Sequence, residues 1–358
     1  QPSQLAYLDI RPDAILEKKV VAPDKKELEF PKATALALYD YLRKSKTKGY
    51  TLSLSGGADS ATCAIMVAEM VKRGIDTLGK KDFLAGINRE ELLKLDEKQI
   101  VGALFNTAYQ STRNSTETTR TAAQELADSI GATFYQWSID EAVASFTSGI
   151  EKALGRSLSW ETDDLALQNI QSRSRSPMIW MLTNITGTLL LTTSNRSEGD
   201  VGYATMDGDT SGSLAPISSV DKQFIREWLR FAEKEMGYSG LAGINKLPPT
   251  AELRPHDQHQ TDEVDLMPYH IMVEIEKLAI GKHQSPKEVF EALQLKDLAN
   301  EALLKEYIKK FYRLWSRNQW KRERLAPAFH LDEFNVDPRT WCRFPILSAG
   351  YAEELEEL

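Results

Sequence analysis

Apolar positions along the chain fall into short solid runs separated by longer stretches of helical spacing. Residues 50–54, 100–106, 134–139 and 188–193 are compact apolar or β-favouring runs suited to buried strands. Between them, 33–43, 61–73, 116–130 and 163–185 predict helices. Gly74 and Gly131 read as stops for the second and third of these, and Pro177 interrupts the fourth. Strands alternating with helices imply right-handed crossovers, hence an α/β fold with a doubly wound, mostly parallel sheet and helices on both faces. Beyond Val220 the pattern turns helical, most clearly at 224–236 and 264–280, which predicts a helical C-terminal part. Residues 1–30 carry scattered prolines and charged runs without sustained periodicity. They read as an extension or linker remnant, with one packed domain over 31–358.

Composition narrows the class more than the activity. A chain of 358 residues can bury a substantial core. Its net charge of −8 argues against a general nucleic-acid binder, although the local group Lys321, Arg322 and Arg324 suits small anions. Cys63 and Cys342 form neither a disulfide framework nor a CxxC site, so a reducing cytoplasm is the expected setting. No signal peptide or membrane-length apolar run is present, and a membrane partner is not expected. The chain begins at Gln1 rather than methionine, which reads as a piece or processed form of a longer protein.

The segment Ser53-Leu54-Ser55-Gly56-Gly57-Ala58-Asp59-Ser60 lies where the first strand meets the next helix. Gly56 and Gly57 let backbone N–H groups approach an anion, the helix N-terminus adds a positive dipole, and Ser53, Ser55 and Ser60 offer hydroxyl donors. Asp59 repels a bare anion but suits one bridged by Mg²⁺. A Walker loop would place Gly-Lys-Ser/Thr after a four-residue gap, and this segment lacks it. Two readings stand at this point: a pyrophosphate grip for ATP cleaved to AMP, and a glycine turn with serine caps. In doubly wound sheets ligands sit beyond the strand carboxyl ends, where 53–60, 106–115 and 193–198 all fall.

Other candidates are weaker taken singly. Asn169 and Arg173 share a helix face, with Arg175 nearby; a solvated face explains them, as does an amide and guanidinium pair gripping phosphate. Glu198 closes the run Thr193-Ser194-Asn195-Arg196-Ser197-Glu198 after a buried strand and could join Asp59 on Mg²⁺, although an isolated loop glutamate is commonly just solvated. The proline-rich stretch 246–262 reads as a surface loop or, more sharply, a lid. His256 and His259 lack a third metal ligand at suitable spacing, no nucleophilic triad is recognisable, and Cys63 reads as a small core residue.

Taken together, these segments resemble the N-type ATP pyrophosphatases, and within them the NAD synthetases. The glycine loop alone reaches only the superfamily. Thr193 to Glu198, Gly202-Tyr203-Ala204-Thr205, Leu214-Ala215-Pro216-Ile217, Pro249-Thr250-Ala251-Glu252-Leu253 and Gln260-Thr261-Asp262-Glu263 narrow it, from about Pro31 to the C-terminus. The resemblance implies an adenine nucleotide alpha hydrolase-like fold and a two-step ligation. Deamido-NAD is adenylated by ATP with loss of pyrophosphate, and ammonia then displaces AMP to give NAD. It further implies that the loop from Ser53 to Ser60, with Thr193, Lys222 and Thr250, contacts ATP. Asp59 and Lys222 carry the catalysis, Asp59 and Glu198 hold Mg²⁺, and Asn169, Arg173 and Lys321 contact deamido-NAD. Where ammonia-dependent relatives carry a lysine, an aspartate and a histidine, this chain has Met206, Ser213 and Trp320. Those departures resemble the synthetase half of glutamine-dependent NAD synthetases. There a glutaminase domain precedes the synthetase and delivers ammonia, and residues 1–30 would be a remnant of the connection. A homodimer or higher homo-oligomer is also implied. Another amide-forming or thiolating ATP pyrophosphatase, or a non-catalytic nucleotide-binding module, is the alternative.

Overall fold

Helix α1, Lys26–Ser45, starts upstream of the expected 33–43 and runs through Pro31. Proline cannot donate to the carbonyl four residues back, which leaves Glu27 short of a partner. Trp228 Nε1 donates to that carbonyl at 3.0 Å. Phe30 packs edge-on to Phe224 and Trp228, with ring centroids 5.5 and 5.2 Å apart. An aromatic cluster thus carries the helix across a residue that ordinarily stops one. The structure is a computed structural model and describes residues 25–247, 253–254, 262–333 and 335–358.

Strand β1, Tyr50–Ser53, leads into α2, Ala58–Leu78. This helix passes through Gly74, the expected stop, because the glycine serves packing. A Cβ there would lie 2.3 Å from the Phe83 ring of α3, Lys80–Gly86. Termination falls instead at Gly79, with φ +79°.

The second strand also differs from expectation. Residues 100–104 belong to α4, Glu97–Leu104, and β2 is Phe105–Ser111. Asp96 and Gln99 form a capping box, and Ile100, Val101 and Leu104 are buried along one side, so a local helix start overrides the β-favouring run. Consequently most of 106–115, expected as a loop, is strand. Helix α5, Glu117–Ile130, starts at the Thr116 cap and stops at Gly131 as expected, and β3 is Thr133–Ser138. Helix α6, Asp140–Leu154, was not anticipated from the sequence; none of its residues is fully buried. Then come α7, Trp160–Thr186, and β4, Leu189–Leu191.

All pairings are parallel, in the order β3-β2-β1-β4. Leu191 joins the core cluster that contains α2, whereas its neighbour Leu190, with Ala108, meets Ile179 of α7. Successive strand residues face opposite ways, so helices cover both faces of the sheet. The strand order reverses at β1, and the loops after β1 and β4 open side by side at that switch point.

The helical C-terminal part begins with α8, Arg196–Val201, and α9, Lys222–Lys234. The expected helix 264–280 is split into α10, Asp262–Asp265, and α11, Tyr269–Glu276, because Pro268 starts a new helix rather than continuing the old one. Helices α12, Pro286–Leu293, α13, Glu301–Arg317, α14, Gln319–Arg322, and α15, Ala352–Glu356, follow. Most of them pack around a second core centred on Met272, Ile308 and Phe311. No described helix is long and apolar enough to cross a membrane.

Candidate active site

The glycine loop is shaped by its neighbours. Gly56 sits at φ +82°, and a Cβ there would lie 2.3 Å from the Thr119 carbonyl oxygen on α5. Gly57 has an ordinary φ of −90° and meets Ser55 Oγ at 3.3 Å. The loop braces itself. Ser60 Oγ donates to the Gly57 carbonyl at 3.1 Å and accepts the Ser55 N–H at 3.2 Å, while the Gly57 N–H donates to Ser55 Oγ at 3.2 Å. Leu54 is buried, and its N–H continues the β1–β2 ladder to the Ala108 carbonyl at 2.9 Å.

Across the switch point, Asn195 caps α8 by accepting the Glu198 N–H at 2.9 Å. Its amide donates to Asp59 Oδ1 at 3.1 Å. Lys222, first residue of α9 and 3% exposed, donates to Asp59 Oδ2 and lies 3.4 Å from Glu198 Oε1. Two carboxylates that are 139 positions apart in the chain, one from the first turn of α2 and one from the first turn of α8, therefore converge on one ammonium. Behind them the buried Arg196 donates to the Ser219 carbonyl at 2.7 Å, to Asp332 at 2.9 Å and to Glu276, tying α8 to the segment that starts α9.

The cluster is acidic for its depth. Burial, and then Asp59, push Glu198 up to about 8, against the pull of Lys222. Burial alone would lower the Lys222 pKa, but Asp59, Glu198 and Asp262 outweigh it and the net shift is upward. Asp262, 6% exposed and hydrogen-bonded by Tyr269 Oη at 3.2 Å, is raised by burial as well. One ammonium cannot neutralise three acids. Asp59 and Glu198 supply the hard oxygen donors that Mg²⁺ takes from protein when phosphate and water complete its shell, so the donor set fits that ion. Among the described residues, no ready-made cage of three or more His, Cys, Asp or Glu side chains exists.

A cavity of about 510 Å³ spans this region, bounded by the glycine loop, Thr193, Glu198 and Lys222, by Tyr109 and Thr119, and by Arg175 and Asp209. Asn169, Arg173 and Lys321 gather elsewhere, around segment 202–206. Asn169 accepts from Thr205 Oγ1 at 2.8 Å, Arg173 donates to the Met206 carbonyl at 3.0 Å, and Lys321 donates to the carbonyls of Gly202 and Ala204, both at 2.8 Å. Arg175, rather than Arg173, reaches the large cavity. Trp320 is half exposed beside Lys321, and Ser213 pairs by its N–H with the Leu190 carbonyl at 2.7 Å. Thr250, His256, His259 and most of the 246–262 loop lie outside the described residues. Of that loop, the Leu253 carbonyl accepts from Asn114 and Gln171 at 3.1 and 2.8 Å, and Arg254 pairs with Asp164 at 2.8 Å.

Sequence reasoning missed Asn195, Asp209 and Asp262 as parts of this site. Asn195 followed three residues later by Glu198 is a helix-start signature that a capping search would find. Asp209 and Asp262 carry no local signal, because only folding brings the exposed Asp209 near Lys321 and buries Asp262 beside Lys222.

A family model described as NAD synthase matches residues 31–324. A glutamine-dependent NAD(+) synthetase of Oryza sativa subsp. indica is 32% identical over 326 residues, covering 84% of this chain and 44% of the relative. A crystal structure of a glutamine-dependent NAD(+) synthetase from Cytophaga hutchinsonii is similar at a TM-score of 0.84 and 52% identity, over 93% of this chain and 56% of that one. The glutamine-dependent NAD+ synthetase of Acinetobacter baumannii, solved with adenosine diphosphate, shares the fold at 22% identity and a TM-score of 0.51, over 91% of this chain and 51% of that one. This chain spans about half the length of the curated relatives it matches.

Proposed function

The chain belongs to the NAD synthase family, and from that premise we propose that it makes NAD from deamido-NAD, ATP and ammonia. In the first step a carboxylate oxygen of the nicotinate attacks the α-phosphorus of ATP, and the bond to pyrophosphate breaks. In the second, the nitrogen of ammonia attacks the acyl carbon, AMP departs with the bonding pair, and a proton is released. The observation that carries this reading is the meeting of Asp59, Glu198 and Lys222 at the mouth of a glycine loop, beside a cavity large enough for a nucleotide.

Pyrophosphate leaves with growing negative charge, so preorganised donors lower the barrier. In this reading the loop from Ser53 to Ser60, with Thr193, Thr250 and Lys222, grips ATP. Asp59 and Glu198 would hold Mg²⁺, which when bound neutralises charge on the departing phosphates. Lys222 keeps its proton at Nζ and serves as a fixed cation. Asn169, Arg173 and Lys321, gathered around segment 202–206, would contact deamido-NAD. We assign the reaction to the cytoplasm, in keeping with two unpaired cysteines, one of them buried. A glutaminase domain in the longer protein would supply the ammonia.

The test is direct. Incubated with ATP, Mg²⁺, deamido-NAD and ammonium, the chain is expected to yield NAD and pyrophosphate in equal amounts by chromatography. Glutamine in place of ammonium is expected to support less than about a tenth of that rate, since no glutaminase chemistry is proposed for this chain. Folded, ATP-binding protein that makes neither product would sink the proposal.

A homodimer is part of the same proposal. Helices α6 and α7 pack together yet expose Phe146, Ile150 and Leu154 on one and Met181 and Ile185 on the other, at helical spacing. Apolar stripes of that kind mark association surfaces. The double substitution Ile150→Asp and Ile185→Asp is expected to convert a dimer to monomer in sedimentation analysis. An unchanged dimer would place the interface elsewhere.

A further inference from the structure

We propose that Gln110 is a positioning residue that makes the Ser53 hydroxyl a fixed hydrogen-bond donor toward the leaving pyrophosphate; this rests on reading the glycine loop as a pyrophosphate grip. Strand register brings three side chains together. Trp137 on β3 is the register partner of Gln110 on β2, and Ser53 on β1 is the partner of Ala108, two residues before Gln110 and on the same face. The three side chains therefore form one row across the carboxyl ends of three adjacent strands.

Chemistry then gives the row a direction. An indole N–H can only donate, and Trp137 Nε1 donates to Gln110 Oε1 at 3.1 Å. The carbonyl end of the Gln110 amide is thereby committed to Trp137, so its NH₂ end faces Ser53, donating to Oγ at 3.1 Å. Ser53 is left as an acceptor toward Gln110, with its own proton unspent among the described residues. Both Ser53 and Gln110 line the cavity, and Gln110 is only 5% exposed, so water does not readily compete for the amide. The proton is consequently presented on the cavity side. A phosphate oxygen can only accept, so a serine free to rotate must first turn its proton toward it, whereas one held by this relay presents the proton without reorganisation at the moment charge develops.

The relay is polar in a way that substitutions can reverse. In Gln110→Glu both carboxylate oxygens can only accept, which turns the Ser53 proton back into the protein. In Trp137→Phe the amide loses the donor that fixes its orientation, and the changed side chain lies outside the cavity wall. Ser53→Ala removes the hydroxyl itself.

The experiment is a double-mutant cycle on the KM for MgATP and on the binding of Mg²⁺-pyrophosphate by titration calorimetry. Ser53→Ala and Gln110→Glu are each expected to weaken both by roughly tenfold, as suits one hydrogen bond to a charged group. Trp137→Phe is expected to weaken them less. The KM for deamido-NAD should stay put, and the Trp137→Phe loss should not persist in the Ser53→Ala background, whereas the charge added by Gln110→Glu repels pyrophosphate in either background. Additive losses from Ser53→Ala and Trp137→Phe, or equal movement of both substrates' KM, would overturn the relay. Should Gln110→Glu fail to fold, Trp137→Phe alone decides by the same criterion. Pyrophosphate binding needs no turnover. If the unsubstituted chain makes no NAD yet binds pyrophosphate in this pattern, the reaction proposal falls and the relay stands. Normal NAD synthesis with an additive cycle has the opposite meaning.

Discussion

Replacing Asp59 with asparagine is expected to cut NAD formation by about a thousandfold or more while leaving the chain folded, a loss on the scale of removing a key electrostatic group from an active site. Asp59 accepts on both oxygens, from Lys222 on one and from the Asn195 amide on the other. Asparagine has one acceptor. Whichever way its amide turns, an NH₂ group meets either an ammonium or another NH₂, so one contact becomes a donor facing a donor. The substitution also removes one of the two carboxylates that would hold Mg²⁺. The fold should survive because Asp59 lies in the first turn of α2, whose apolar side from Ala61 to Val71 is buried independently of it. Loss of a first-turn acid costs a helix roughly 0.3–1 kcal/mol. Single-turnover assays alongside thermal unfolding would separate the two effects, and activity above about a tenth of the original would refute the role given to this carboxylate.

The second large effect is expected from Gly56→Ala, with Gly57→Ala as its control. At Gly56 the new Cβ faces two penalties together: a left-handed φ of +82°, and a backbone oxygen of α5 only 2.3 Å away. Left-handed strain costs on the order of 1 kcal/mol, and displacing a helix carbonyl adds to it, for a total of about 2–4 kcal/mol in unfolding free energy. Because the shift occurs inside the loop, MgATP binding should fall with it. At Gly57 the backbone is ordinary and the neighbour is a movable serine hydroxyl at 3.3 Å, so a loss of about 1 kcal/mol or less is expected. Denaturant unfolding of the two variants provides the check, and equal losses would contradict the reading of Gly56 as the position that lets the loop lie against α5.

Much of the fold was legible because periodicity and caps act locally. The strand-to-helix glycine loop, the Gly131 stop and α9 follow from short-range pattern. The departures at Pro31 and Gly74 have causes that the local pattern does not carry. Helix α1 crosses Pro31 because Trp228, 197 positions later, supplies the missing donor. Gly74 lies inside a helix because Phe83 packs against it. At 100–104 the error was local, since the Asp96 cap was present in the sequence and outweighed β-propensity. The site divides in the same way. Asp59 and Glu198 were readable from motifs, whereas their convergence on Lys222 depends on strand order, and Asp262 acquires its character only through burial.

Cleavage of ATP between the α- and β-phosphates, with an adenylate formed on deamido-NAD, is the step on which the proposed function rests. Exchange of labelled pyrophosphate into ATP, measured with Mg²⁺ and deamido-NAD but without ammonia, tests it most directly. The expected exchange requires deamido-NAD, proceeds without ammonia and is lost in Asp59→Asn. Folded, ATP-binding protein that shows no exchange, or that releases ADP and phosphate in place of AMP and pyrophosphate, would contradict it.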